Sequence, residues 1–340
     1  MKILQIAPPV FKIPPDGYGG TERIIYYLTE ELVKQGHEVS ILASVDSKTN
    51  AKLIPYSDSL RGKNDSRSLF RAYNNLFEII ADVSKNYDIL HFHLSNLNQF
   101  LFTARIKAPF LTTIHDPLSD EKVKWIMEKM PKAFLSAISN SQKESYKGLN
   151  WIGVQHHGLP KDLFDFSENT DGYLLYLGKL AEEKGFDDIL RLAYMSKKKF
   201  KVAAKKDDKP FSKQSIKIMK QLTGIEYFEE VGGDLKKSLL AKADGLILPI
   251  RWNEPFGLVA IEALASGTPV IARKKGALPE IINEAQNGFF FTTLHEALER
   301  IDRLPEIKRE NCRKSFEENF TVEKMTAGYI RFYLKILEQS

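Results

Sequence analysis

Asn253-Glu254-Pro255-Phe256-Gly257-Leu258-Val259-Ala260-Ile261-Glu262-Ala263-Leu264-Ala265-Ser266-Gly267-Thr268-Pro269-Val270 is the stretch from which the fold is read. It follows a short apolar run, Gly245 to Pro249, that suits a buried strand. Its own apolar pattern is helical and stops at Gly267-Thr268-Pro269, before a new apolar run begins at Val270. Strand, loop, helix and strand in that order form a unit of a parallel sheet, with the loop at the carboxyl end of the first strand. The backbone N–H groups of Phe256, Gly257, Leu258 and Val259 stand at the helix start. Amides there lack intrahelical partners, and the helix dipole is worth about 0.3–1 kcal/mol per facing charge, so the loop suits a diphosphate. Gly257 permits close approach. Glu254 before the helix and Glu262 about one turn inside it are two acceptor-only carboxylates, a match for two sets of hydroxyls. Taken singly, Glu254 is equally a partner for the helix dipole, Glu262 a solvated face, and Gly-Thr-Pro an ordinary helix stop.

Working outward, the same rhythm fills the chain. The second half predicts strands at Tyr173 to Leu177, Lys201 to Ala204 and Glu226 to Glu229, with helices at Gly185 to Ser196, Ser212 to Leu222 and Leu235 to Lys242. The first half predicts strands at Ile3 to Ala7, Val39 to Ala43, Ile89 to Phe92, Phe110 to Ile114 and Ala133 to Ser136, with helices at Thr21 to Gly36 and Leu69 to Ser84. A polar stretch, Lys161 to Asp171, separates them. A chain of 340 residues exceeds one ordinary core and accommodates two. The expected domains are therefore 1–160 and 161–320, each an α/β Rossmann-like half. In such a pair the ligand sits in the cleft between the halves, outside the carboxyl ends of the strands.

Three further clusters bear on chemistry. Gly178-Lys179-Leu180-Ala181-Glu182-Glu183-Lys184-Gly185 follows the first strand of the second half, and Lys179 and Lys184 in that turn can both reach one anion. Charge-assisted bonds of that kind contribute about 1.5–3 kcal/mol each. The segment is not a P-loop, since five residues separate Gly172 from Gly178 and Leu180 stands where Ser or Thr would bind magnesium. The loop Pro14-Pro15-Asp16-Gly17-Tyr18-Gly19-Gly20-Thr21-Glu22 can turn sharply and approach a ligand at Gly19 and Gly20. It fails as a dinucleotide fingerprint because Glu22 occupies the place of the third glycine; Thr21 and Glu22 also read as a helix cap. Thr112-Thr113-Ile114-His115-Asp116 puts His115 at the carboxyl edge of a strand. His91 and His93 share a strand face, with no third ligand at metal spacing.

Taken together, the Asn253–Val270 string resembles the signature of retaining family-4 glycosyltransferases of the GT-B fold (glycosyl transferases group 1), with two glutamates separated by seven residues and the Ala-Ser-Gly-Thr-Pro-Val exit. The resemblance implies two Rossmann-like domains facing each other across a cleft, with the final helix, 321–340, crossing back onto the first. It implies transfer of a hexose from a nucleotide-diphosphate sugar to an acceptor hydroxyl with retained configuration and no bound metal or other cofactor. UDP-sugar is favoured over GDP-sugar. In family terms Glu254 lies at the donor sugar, Glu262 binds ribose, Lys179 and Lys184 hold the leaving diphosphate, and His115 lies near the sugar. Gly19, Gly20, Gly178 and the Phe256–Val259 amides line the donor. The family usually has arginine at the position of Lys179, so a bidentate fork is replaced by a point charge.

Composition narrows the field further. With 43% apolar and 27% charged residues the chain reads as folded throughout. One cysteine excludes an internal disulfide framework and, with the absence of a signal-peptide core or membrane-spanning run, points to the cytoplasm. A net charge of +5 favours acidic small molecules or a membrane surface over nucleic acid. The stretch 122–134 intersperses Lys122, Lys124, Lys129 and Lys132 with Trp125, Ile126, Met127, Met130 and Phe134. It reads either as a peripheral membrane or acceptor contact or as a helix packed on the sheet. The loop 14–22 looks like that of bacterial enzymes acting on small soluble or lipid-linked acceptors. Three rivals stay open at this point: a nucleotide-sugar 2-epimerase of the same fold, a catalytically silent nucleotide-sugar-binding protein, and a nicotinamide oxidoreductase.

Overall fold

A computed structural model of the chain describes residues 1–17, 19–60, 65–93, 106–116, 128 and 133–340. It divides into two units, Met1–Pro160 together with Val322–Ser340, and Lys161–Thr321.

In the first unit the elements run β1 (Lys2–Ile6), α1 (Gly20–Lys34), β2 (Glu38–Ser44), β3 (Lys52–Ser57), α2 (Ser66–Val83), β4 (Ile89–Phe92), β5 (Phe110–Thr113), β6 (Phe134–Ala137), α3 (Asn140–Glu144) and β7 (Trp151–Val154). The seven strands are parallel in the order β3-β2-β1-β4-β5-β6-β7. Ile3 stands beside Val39 on one side and Ile89 on the other. These central strands are buried on both faces, the usual state of a parallel sheet. β3 and β7 lie outside the strands predicted from sequence, and both are edges. β3 carries Pro55 and is only partly buried, and every residue of β7 is intermediate, so neither shows the continuous apolar run of a central strand. Asp65 starts α2 by accepting from the Ser68 amide at 2.8 Å, and Ser139 starts α3 by accepting from that of Gln142 at 3.0 Å.

The second unit repeats the scheme: β8 (Tyr173–Lys179), α4 (Phe186–Ser196), β9 (Lys199–Lys205), α5 (Pro210–Met219), β10 (Ile225–Phe228), α6 (Gly233–Ala241), β11 (Gly245–Leu248), α7 (Leu258–Ala265), β12 (Val270–Arg273), α8 (Leu278–Ile281), β13 (Gly288–Phe291), α9 (Leu294–Asp302) and α10 (Arg309–Asn319). The order is β10-β9-β8-β11-β12-β13, parallel throughout. Arg309 ties this unit together by donating to the carbonyls of Ser167, Ala241 and Ala243 at 2.6–2.8 Å and to Thr268 Oγ1 at 2.8 Å. The last helix, α11 (Val322–Leu337), returns to the first unit. It buries Tyr329 and Tyr333 there, with Gly328 facing the end of the Gln155 side chain.

In both sheets the chain starts in the middle, builds one way, then crosses to the other side of its first strand. That reversal leaves a crevice at the carboxyl ends of β1 and β4 in one unit and of β8 and β11 in the other.

Candidate active site

The β8–β11 reversal gathers most of the residues singled out from sequence. Gly178 and Lys179 are not in the turn, as the spacing suggested, but are the last two residues of β8. The β9 ladder continues beside them, pairing Gly178 with Ala204 and Lys179 with Lys205. Lys179 Nζ is 3.2 Å from Asp207. The turn beyond it ends at Gly185, with φ 67°, where an added Cβ would lie 1.9 Å from the Pro249 carbonyl oxygen. The turn after β8 and the end of β11 are thus pressed together through a residue that has to be glycine. The Arg251 amide donating to the Glu183 carbonyl at 2.9 Å closes the same contact.

This closeness brings Lys184 to Glu254, Nζ to Oε2, at 2.6 Å. Trp252 Nε1 donates to the same oxygen at 3.0 Å, and Lys184 Nζ sits 4.5 Å above the Trp252 ring. The Glu254 backbone is clamped from behind. Its carbonyl accepts from the Ala277 amide at 2.9 Å, and Gly276, at φ 55°, has no room for a Cβ against it. The lysines expected to share an anion therefore have separate carboxylate partners. Each ammonium has three donors, so one pairing leaves two for a ligand.

Helix α7 begins at Leu258 behind Gly257 (φ 104°) with no side-chain cap. The Phe256 ring is buried against Phe320, centroids 6.2 Å apart, so Phe256 offers its backbone rather than its side chain. Leu258 and Val259 are partly exposed. Glu262 is not a solvated face: it is 5% exposed, and its Oε1 lies 2.6 Å from Lys236 Nζ. Trp252 and Lys236 escaped the sequence reading. Trp252 is two residues from Glu254 and could have been suspected, whereas Lys236 is 26 positions from its partner on another helix.

In the first unit, the crevice between β1 and β4 holds the remaining candidates. Gly19 (φ 147°) caps α1, and Gly20 is its first helical residue rather than part of the loop, so Thr21 and Glu22 lie inside the helix. Arg23 holds the loop by donating to the Gly17 carbonyl at 2.7 Å and to that of Pro15 at 3.3 Å. Glu22 is buried close to Gly19, and burial, with Asp116 nearby, pushes its carboxyl up to about 7 against a lowering backbone hydrogen bond. His115, His93, His91 and His157 form a buried ladder, with successive ring centroids from His91 to His93 to His115 to His157 at 3.9, 5.3 and 5.2 Å. Burial pulls His115 down to about 4, opposed by Asp116, and holds the other three well below the usual histidine range. Among the described residues no group of three or more His, Cys, Asp or Glu side chains is placed to hold a metal ion, and no helix is long and apolar enough to cross a membrane. The lysine-rich stretch 122–134 lies, up to Lys132 and apart from Glu128, outside the described residues.

Comparison with known proteins matches residues 161–320 to the family model described as Glycosyl transferases group 1 and residues 18–149 to that of Glycosyltransferase Family 4. An uncharacterized glycosyltransferase of Methanocaldococcus jannaschii is 24% identical, the match covering 84% of this chain and 85% of the relative. Among solved structures, a sucrose-phosphate synthase from Thermosynechococcus elongatus superposes with a TM-score of 0.80 at 17% identity over 100% of both chains. The Anabaena protein Alr3699/HepE, in complex with UDP-glucose, superposes with a TM-score of 0.76 at 15% identity over 100% of both chains. At these identities the structural likeness establishes the fold, two Rossmann-like units of the GT-B class. With nearly the whole chain matched by two adjoining models, the protein belongs to the group 1 glycosyltransferases.

Proposed function

We propose that this chain transfers a hexose from a nucleotide-diphosphate sugar, UDP-sugar in preference to GDP-sugar, to an acceptor hydroxyl with retention at the anomeric carbon and without a metal ion. The observation that carries the reading is the convergence of Lys184 and Trp252 on one oxygen of Glu254, at the carboxyl ends of β8 and β11. That crevice adjoins the uncapped start of α7. An anion-binding helix start, two lysines and two held carboxylates are the groups a nucleotide-diphosphate sugar requires. The complex of a relative of the same fold with UDP-glucose supports the choice of donor.

In this reaction the acceptor oxygen forms a bond to the anomeric carbon as the bond from that carbon to the phosphate oxygen breaks. The electron pair departs with the nucleoside diphosphate, and a leaving-group oxygen takes the acceptor proton. Lys179 and Lys184 stabilise the charge that grows on the diphosphate, where preorganised donors act most strongly. Glu262, held by Lys236, accepts from the ribose hydroxyls. Glu254, held by Lys184 and Trp252, accepts from the sugar, and His115 is assigned to the sugar from the first unit.

Thermal melts with saturating UDP, GDP, ADP, dTDP or NAD test the donor, since a ligand at 100 times its Kd adds about 2.7 kcal/mol. UDP is expected to give the largest shift. Stabilisation by NAD alone, or by none of the five, would overturn the reading, and an inverted anomeric centre in the product would overturn retention.

A further inference from the structure

His115, 8% exposed, has one ring nitrogen engaged and one bare. Its Nε2 lies 3.0 Å from His93 Nδ1, while among the described residues its Nδ1 has no hydrogen-bond partner. Protons in this buried chain can be placed by elimination. His93 Nε2 lies 2.7 Å from Gln5 Oε1, and an amide oxygen can only accept, so His93 carries its proton on Nε2. Burial keeps the His93 ring neutral, which makes its Nδ1 a lone pair, and His115 has to donate to it from Nε2. The bare Nδ1 of His115 is then an acceptor.

The other end of the same amide orders a second arm. Gln5 Nε2 donates to Tyr333 Oη at 3.2 Å, Tyr333 donates to His91 Nδ1 at 2.7 Å, and His91 Nε2 donates to Thr113 Oγ1 at 2.7 Å. Thr113 Oγ1 in turn donates to Tyr329 Oη at 3.3 Å. One amide therefore sets the tautomer of all three rings, and turning it over would make His115 Nδ1 a donor.

We propose that Gln5, acting through His93, is a positioning residue that holds His115 in its Nε2–H tautomer, so that Nδ1 accepts a hydrogen bond from a substrate hydroxyl. The substrate clause rests on the assignment of His115 to the sugar; the tautomer stands on the geometry of β1, β4 and His115. A neutral acceptor at this point matches a hydroxyl and disfavours a carboxylate or phosphate oxygen, so the group recognised is an uncharged position of the sugar. His157, stacked on His115 at 17°, keeps the ring plane in place.

Long-range proton–nitrogen NMR on the full chain labelled with 15N-histidine reads the tautomer directly, with the His115 signals assigned by their loss in His115→Asn. At pH 7 the wild type is expected to show His115 protonated at Nε2 alone. Gln5→Leu, which removes the acceptor facing His93, should shift it toward the Nδ1–H form, and Thr113→Val should leave it unchanged. A proton on Nδ1 in the wild type overturns the proposal, as does an unchanged tautomer in Gln5→Leu. Should Gln5→Leu not fold, Gln5→Met makes the same comparison, and the wild-type spectrum decides the tautomer by itself. Titration with UDP-glucose and GDP-mannose separates the two clauses. Movement of the Nδ1 resonance with either supports the hydroxyl contact. No movement, with the same sugar nucleotide shown to bind by titration calorimetry, removes the sugar assignment of His115 and leaves the relay standing.

Discussion

Replacing Glu22 with glutamine is expected to stabilise the first unit at pH 8 and to change little at pH 4.5. Glu22 is 5% exposed in the first turn of α1, and burial raises its carboxyl from the usual 4.5 to about 7. That difference is about 2.5 pH units, worth about 1.4 kcal/mol each, or about 3 kcal/mol in all. The sign follows from the raised value. The folded state holds the proton more tightly than the unfolded one, so the contribution of Glu22 is fully present below pH 4.5 and is lost as pH rises through about 7. Glutamine has nearly the shape of the protonated acid and never ionises, so the variant escapes this loss. For a unit of this size, about 3 kcal/mol corresponds to a rise in Tm of about 6–12 °C. Calorimetric melts of both proteins from pH 4.5 to 8 at one ionic strength measure it. A difference that does not grow with pH, or a variant less stable than wild type at pH 8, refutes the reasoning.

Other outcomes follow from the second unit. Glu262→Ala should weaken nucleoside diphosphate binding roughly tenfold to a hundredfold, since it removes a charged acceptor worth about 1.5–3 kcal/mol; titration calorimetry would show an unchanged Kd if the assignment is wrong. Lys184→Ala should lower kcat more than it raises KM for the donor, because the charge it meets develops in the transition state; equal losses in both would argue for simple binding. Gly185→Ala should destabilise the second unit by several kcal/mol, since its Cβ would lie 1.9 Å from the Pro249 carbonyl oxygen at a left-handed φ; an unaltered melting profile would contradict that contact. Lowering the pH from 7 to 4 should unfold the first unit progressively, because its four buried histidines stay neutral when folded and take up protons when unfolded, so the penalty begins below about pH 6.5. Hydrogen exchange with no loss of protection in β4 and β5 over that range would rule it out.

By itself the sequence determined the class of fold and most of the second-unit candidates. Alternating apolar runs and helical patterns are local, and so are the loop and helix start from Asn253 to Glu262, where neighbours in the chain are neighbours in space. Tertiary structure alone decided what those residues do to each other. β3 and β7 are strands because a sheet edge was available to pair with, not because Lys52–Ser57 or Trp151–Val154 is strongly apolar. Lys184 meets Glu254 across 70 residues, and Lys236 meets Glu262 from another helix, because the β8–β11 reversal brings distant turns together. The tautomer of His115 depends on Gln5, 110 positions earlier, through the His93 ring just past the end of β4. A side chain's charge partner and its proton are set by what packs against it, and packing is the part of the fold that local pattern does not encode.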